Sequence, residues 1–320
     1  MTKIFIAAPV PAALLKPLSD TAAQVTVYSH ETPITPAELK AGAADADILV
    51  VPLSTPVTAD VIAAAPQLKL IANYGAGVDN LDLAAAKARG IQVVNTPGVS
   101  ANAVAELTIA LILAWSRRIP EGDQLMRGAG FQAWEPEFFL GHEISGKSLG
   151  IVGLGAIGRN VAAKAGALGM TVRYWQRKPL DEPNEAALHV HYTDLDNLLA
   201  TSDFVSLHVP LVPGTRHMID AAKLAEMKPT AVLINVARGP VIDEAALLTA
   251  LQNKKIGGAA LDVYEHEPQV ADGFKLLTNV ILTPHIGNAT VEARNAMAKQ
   301  IADNIVAFMT GKPLKYTVAG

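Results

Sequence analysis

Several polar residues stand directly after apolar runs, where a strand would hand them to a loop. VARG follows AVLIN and places Arg238; DVYEHEP follows GGAAL and places Asp262, Glu265, His266 and Glu267; TPHIG follows VIL and places His285. His208 follows FVSL in the same way. A guanidinium has a planar fork that grips two oxygens at once, which suits a carboxylate beside a carbonyl. An imidazole exchanges its proton near neutral pH, and a neighbouring carboxylate favours its charged form. Such a set could hold a 2-keto acid and protonate its oxygen as a hydride reaches its carbon. His266 is the chain neighbour of Glu267 and would tend to point away from it, so His285 is the acid–base candidate.

The hydride source has its own signature. Residues 150–160 read GIVGLGAIGRN, a G-x-G-x-x-G loop between a strand predicted at 149–152 and a helix predicted over 157–168. In that context Gly153 allows the tight turn, Gly155 lets a pyrophosphate approach the backbone, and Gly158 lets helix and strand close up. Ala156 and Ile157 then open the helix, whose free amides and positive end face the phosphates. The next strand, TVRYW, is followed by Gln176, Arg177 and Lys178. NAD would call for a carboxylate there, and two cations without one suit a 2′-phosphate. The expected cofactor is NADP, with NAD the alternative.

Positioning these residues requires a parallel sheet. Apolar runs alternate with helical segments throughout: KIFIAA, VTVYS, ADILVVPL, LKLIANYG and IQVVNTPG early, then strands expected at 149–152, 171–175, 204–207, 231–235, 258–262 and 280–282. Helical patterning falls at 59–65, 82–89 and 103–115, and returns from about residue 289 without another strand. The expectation is an α/β chain of two doubly wound parallel-sheet domains. One comprises residues 1–99 plus 287–320 and binds substrate; the other, 100–286, is inserted into it and binds the dinucleotide.

Composition narrows the partners. The 320 residues carry a formal charge of -4 with no basic block, so a nucleic-acid partner has no electrostatic support. There is no cysteine, which excludes disulfides and fits a cytoplasmic location. Pro9 and Pro11 break the N-terminal apolar stretch, which is read as a strand rather than a signal peptide. The stretch 103–115 contains Glu106 and is too short to cross a membrane. His189 and His191 sit two apart with no carboxylate–histidine cluster beside them, so no metal is expected. His30, His142 and His217 read as surface or loop residues.

The chain resembles the D-isomer-specific 2-hydroxyacid dehydrogenases over nearly its whole length. The shared stretches are NYGAGVDNLD, VAELTIALILA, GLGAIG, HVPLVPGTRHMI, NVARGPVID, LDVYEHEP and TPHIG. The resemblance implies that Arg238, Glu267 and His285 are the catalytic arginine, glutamate and histidine, and that Asp262 lies close to the nicotinamide. It assigns the substrate carboxylate to backbone amides of Ala76 and Gly77, and it puts Thr108, His208, Pro210 and Val236 on segments lining the cofactor. It implies a site between the two domains and a homodimer formed through the helix at 103–115 and the loop after it. Formate dehydrogenases pair their histidine with glutamine, from which Glu267 departs.

GFQAWEPEFFLGHEISGKSLGIVG looks like the glyoxylate and hydroxypyruvate reductase branch, where a tryptophan before a proline lies near the substrate; Trp134 is the match, the alternative being a buried loop anchor. The expected activity is NADP-dependent reduction of these small 2-keto acids. The rivals are a D-2-hydroxyacid dehydrogenase using NAD on lactate or bulky substrates, and a dinucleotide-binding regulator without turnover.

Overall fold

The structure, a computed structural model, describes residues 1–318. The chain divides into two compact units: an outer one built from Met1–Ser100 and the chain from Ala289 onward, and an inserted one, Ala101–Asn288.

The outer unit runs β1 (Lys3–Ile6), α1 (Ala12–Ser19), β2 (Gln24–Val27), α2 (Pro36–Ala43), β3 (Ile48–Pro52), α3 (Ala59–Ala64), β4 (Leu70–Tyr74), α4 (Leu83–Ala88) and β5 (Gln92–Val94). Its strands form one parallel sheet in the order β2-β1-β3-β4-β5. Successive side chains leave opposite faces of a strand, and here both faces are apolar. Phe5, Leu49, Val51 and Ile71 meet Leu39, Val61 and Ile62 on one side. Ile4, Ile6, Ile48, Val50 and Leu70 meet Leu14 and Leu18 on the other. Each such side chain contributes roughly 1.5–3 kcal/mol by leaving water, which is why the runs read as continuous rather than alternating.

The inserted unit begins with α5 (Ala101–Ser116) and α6 (Ile119–Arg127). It continues through β6 (Ser148–Val152), α7 (Ala156–Ala167), β7 (Thr171–Trp175), α8 (Glu182–Leu188), β8 (Val190–Tyr192), α9 (Leu195–Thr201), β9 (Phe204–Leu207), α10 (Ala221–Glu226), β10 (Val232–Asn235), α11 (Glu244–Gln252), β11 (Gly258–Leu261), α12 (Asp272–Lys275) and β12 (Val280–Leu282). Its seven parallel strands are ordered β12-β11-β10-β9-β6-β7-β8. The order reverses beside β6, which pairs with β7 on one side and β9 on the other. A crevice at the carboxyl end of such a switch point is where ligands bind in sheets of this class. The chain then returns to the outer unit as α13 (Val291–Met309), whose Met297, Ile301 and Ile305 are buried with β1, β3 and α1.

Two elements differ from the sequence expectation. β8 is a three-residue edge strand with only Val190 buried, too short and too polar to stand out as an apolar run. α6 buries no residue within the unit, although Ile119, Leu125 and Met126 give it apolar positions among charged ones. Among the described residues no helix is long and apolar enough to cross a membrane.

Candidate active site

The glycine loop leaves β6 under tight packing. Gly153 has a φ of 97°, in the left-handed region that glycine adopts freely. A Cβ on Gly153 would lie 2.8 Å from the His208 carbonyl oxygen, and one on Gly158 would lie 2.3 Å from the Gly153 carbonyl oxygen. Gly155 is the opposite case, with open space where a Cβ would stand. Seven other helices have an Asp or Thr N-cap that accepts a backbone N–H, whereas Gly155 caps α7 with no side-chain bond. The first-turn amides of α7, beginning at Ala156, are therefore available to an anion. Ile157 packs against the core of the unit and fixes the helix start.

The basic loop after β7 is anchored from inside. The Tyr174 hydroxyl accepts the Leu180 N–H at 2.7 Å and donates to Glu185 at 2.7 Å. Burial, together with the Glu185 carboxylate, pushes this phenol up to about 12. Gln176 donates through Nε2 to the Lys178 carbonyl at 2.7 Å, closing the turn. Arg177 and Lys178 are exposed, and neither forms an ion pair among the described residues.

His208 sits beyond β9 with its Nε2 2.9 Å from the Ser206 hydroxyl. Its Nδ1 is buried and has no hydrogen-bond partner among the described residues. Burial drives its pKa down to about 3, so the ring is neutral. Pro210 is exposed and Val236 is buried at the same edge of the sheet. Thr108 is fully buried in α5, its hydroxyl donating to the Val104 carbonyl at 2.9 Å.

The candidate catalytic set is assembled by backbone ties. Asn235, the last residue of β10, accepts the Ala237 N–H at 3.0 Å and donates to the Arg238 carbonyl at 2.9 Å, turning the chain so that Arg238 leaves the sheet edge. His285 Nδ1 lies 2.7 Å from Glu267 Oε2, and each side chain is about a third exposed (33% and 34%). Glu267 Oε1 accepts the Tyr264 N–H at 2.9 Å. Burial works to raise the Glu267 carboxyl, but the hydrogen bond and charge of His285, the Tyr264 amide and the Arg238 charge outweigh it and hold it below the usual range. With Nδ1 bound to the carboxylate, Nε2 is the nitrogen left for a substrate.

His285 has a φ of 52°, uncommon for a residue with a Cβ and tolerated where the surroundings enforce it. Asp262 supplies the enforcement. Its Oδ1 accepts from the Thr283 hydroxyl at 2.6 Å and the Ile286 N–H at 2.8 Å, and its Oδ2 accepts the Gly287 N–H at 2.8 Å. The Tyr264 hydroxyl donates to the carbonyls of Leu261 and Thr283 at 3.1 and 2.9 Å. Asp262 thus braces the His285 loop from both sides. His266 is exposed and not part of this set.

In the outer unit, the loop after β4 carries Ala76 and Gly77. Asn73 Nδ2 donates to the Gly77 carbonyl at 2.7 Å, and Asn95 Nδ2 donates to the Ala76 carbonyl at 2.7 Å. The Ala76 carbonyl shares its peptide plane with the Gly77 N–H, so fixing it orients that amide, while the bond to the Gly77 carbonyl fixes the next peptide of the loop. Asn73, Asn95, Asn235 and Tyr264 were not singled out from sequence. Asn73 lies inside the quoted stretch NYGAGVDN, but only its complete burial reveals the role.

Three histidine and tryptophan expectations resolve differently. Trp134 is 80% exposed, so it is not a buried loop anchor. His189 caps α8 in a left-handed conformation while His191 lies on β8, and no metal-binding group of His, Asp and Glu forms among the described residues. His217 is not a bare surface residue: its Nε2 is 2.7 Å from Glu265 Oε1.

Comparison with known proteins identifies the family. The family model described as D-isomer specific 2-hydroxyacid dehydrogenase, NAD binding domain, matches residues 109–287. A protein of Staphylococcus saprophyticus, provisionally named a 2-hydroxyacid dehydrogenase, is 46% identical over 319 residues, 99% of this chain and 100% of its own length. A glyoxylate reductase from Paecilomyes thermophila superposes with a TM-score of 0.85 at 34% identity, covering 99% of this chain and 98% of that one. An NADPH-dependent glyoxylate/hydroxypyruvate reductase from Sinorhizobium meliloti, solved with NADP and malonate, gives a TM-score of 0.83 at 31% identity, covering 99% and 97%. With that model spanning more than half of its length, and relatives matched from end to end, the chain belongs to the D-isomer specific 2-hydroxyacid dehydrogenase family.

Proposed function

We propose that this chain reduces small 2-keto acids, glyoxylate and hydroxypyruvate foremost, to 2-hydroxy acids with NADPH. The observation that carries the reading is the 2.7 Å pairing of His285 with Glu267 under the charge of Arg238. The cofactor fits what the chain offers: a glycine with open space at 155, uncapped amides at the start of α7, and two exposed cations after β7. In this reading Gly153, Gly155, Ala156, Ile157 and Gly158 receive the pyrophosphate. Gln176, Arg177 and Lys178 receive the 2′-phosphate, and Thr108, His208, Pro210, Val236 and Asp262 lie along the remainder. Bound NADPH supplies the hydride.

The side chains do the rest. Arg238 grips the substrate carboxylate and polarises its carbonyl, with the amides of Ala76 and Gly77 as further donors to the carboxylate. His285 delivers the proton to the carbonyl oxygen from Nε2, and Glu267 holds the imidazolium until it does. Trp134, with its ring exposed, is assigned to the substrate's surroundings. Ile119, Met126, Phe131, Phe138 and Leu140, which flank it in sequence, are also exposed, which supports a homodimer formed through this segment.

The test is initial-rate oxidation of NADPH and NADH with glyoxylate, hydroxypyruvate, pyruvate and a bulky keto acid. Turnover of the two small substrates, favouring NADPH, is expected. Preference for NADH would reduce the QRK loop to a solvated turn. Tight NADPH binding without turnover would favour a regulator.

A further inference from the structure

His217 makes two contacts that no catalytic role requires. Its backbone N–H donates to the Pro240 carbonyl at 2.8 Å, two residues beyond Arg238. Its imidazole Nε2 lies 2.7 Å from Glu265 Oε1, two residues before Glu267. It holds a φ of 50° to do so. The Arg238 and Glu267 segments also meet directly. Gly239 presses against the other backbone so closely that a Cβ would lie 1.9 Å from the Tyr264 carbonyl carbon. The Glu265 N–H donates to Glu244 Oε2 at 2.7 Å, and Glu244 opens α11 just after the Arg238 segment.

We propose that His217 is a positioning residue for the reduction: by bridging Pro240 and Glu265 it fixes the Arg238 segment against the Glu267 segment, and so sets where the carboxylate meets His285. The inference rests on the catalytic reading above. The Glu265 side chain is only 17% exposed, and the charged groups facing the His217–Glu265 pair are Arg216, 3.8 Å from Glu265 on the same loop as His217, and Glu244 from α11. Glu265 continues into Glu267 through one exposed residue, so a carboxylate released at 265 frees the chain that carries the carboxylate at 267. A fold-stabilising ion pair alone would make no such link to the proton donor.

The experiment compares His217→Asn, Glu265→Ala, Glu265→Gln and Glu267→Gln in steady-state glyoxylate reduction across pH at saturating NADPH, with thermal melting as the control for folding. Asn tolerates the left-handed conformation but lacks the reach of an imidazole, so it removes the bridge without straining the backbone. His217→Asn and Glu265→Ala are expected to lower kcat about tenfold with KM changed by less than about twofold. Both should move the high-pH decline of the rate to lower pH, in the direction of Glu267→Gln. Glu265→Gln should restore the wild-type profile, since its amide oxygen still accepts the imidazole N–H, and His217→Asn added to Glu267→Gln should move the decline no further. If the decline moves in Glu267→Gln but stays in place in His217→Asn and Glu265→Ala, the positioning role is overturned while the catalytic reading stands. If the wild type shows no turnover, or Glu267→Gln leaves the decline in place, both are overturned.

Discussion

His285 Nδ1 and Glu267 Oε2 stand 2.7 Å apart, while the other oxygen of Glu267 is taken by the Tyr264 N–H. Both carboxylate oxygens are therefore committed, one to the imidazole and one to the chain that carries it. That arrangement orients the ring with Nε2 outward and keeps a negative charge against it. Arg238 adds a positive charge that helps hold Glu267 ionised.

Glu267→Gln removes that negative charge while keeping the shape. The Glu267 carboxyl lies below its ordinary range, so it is ionised throughout the neutral region and keeps a negative charge against the ring there. The proposed reduction draws its proton from that ring. With a neutral amide at 267 the decline of the rate toward high pH is expected to begin at lower pH. The pH profile of kcat/KM for glyoxylate checks this.

Arg177 and Lys178 have no ion-pair partner among the described residues to satisfy them. Replacing both by Ala is expected to lower kcat/KM for NADPH by roughly tenfold to a hundredfold, since each contact to a phosphate is a charge-assisted hydrogen bond. The value for NADH should change little. The ratio of the two cofactors, measured on one substrate, isolates the effect.

Gly155 and Gly158 separate binding from folding. At 155 an added methyl meets no protein atom, so Gly155→Ala is expected to melt with the wild type while losing NADPH affinity about tenfold or more. At 158 the methyl would lie 2.3 Å from the Gly153 carbonyl oxygen, so Gly158→Ala is expected to lower the melting temperature as well. Cofactor titration beside thermal melting distinguishes the two.

Asp203 ties the starts of β6 and β9. Its carboxylate accepts the Ser148 N–H and hydroxyl at 2.8 and 2.9 Å and pairs with Lys228 at 2.9 Å. Burial opposes its ionisation, but these bonds outweigh burial and hold it below its ordinary 3.8. A depressed carboxyl contributes stability above the unfolded value and loses it as pH falls through the folded one. Asp203→Asn should therefore cost about 1–2 kcal/mol at neutral pH. The gap should close as pH drops below 3.8, as urea unfolding at several pH values would show.

Much of this was legible in the sequence because the strands are buried on both faces. IFI, ILVV, LIA and VLI are apolar throughout, and a sheet between two helical layers is the structure that buries them. Arg238, Glu267 and His285 were legible because each follows such a run. The groups that brace them were not. Asn73 and Asn235 stand inside apolar runs and Tyr264 between candidate carboxylates, and nothing in the sequence marks them; their work lies in carbonyls and amides they meet after folding. Asp262 was placed near the cofactor by resemblance, and the structure adds that both its oxygens brace the His285 loop. His217 looked like a loop histidine because its partner, Glu265, lies 48 positions away.

The most direct measurement is a single substitution, His285→Asn, read by two assays on the same preparation. NADPH affinity should stay within about threefold of the wild type, because the ring is assigned to the proton and not to the cofactor. Glyoxylate reduction at saturating NADPH should fall by roughly 10²–10⁴-fold, the range a positioned general acid contributes. Turnover within a few-fold of the wild type, with binding unchanged, would contradict the assignment of the proton to His285.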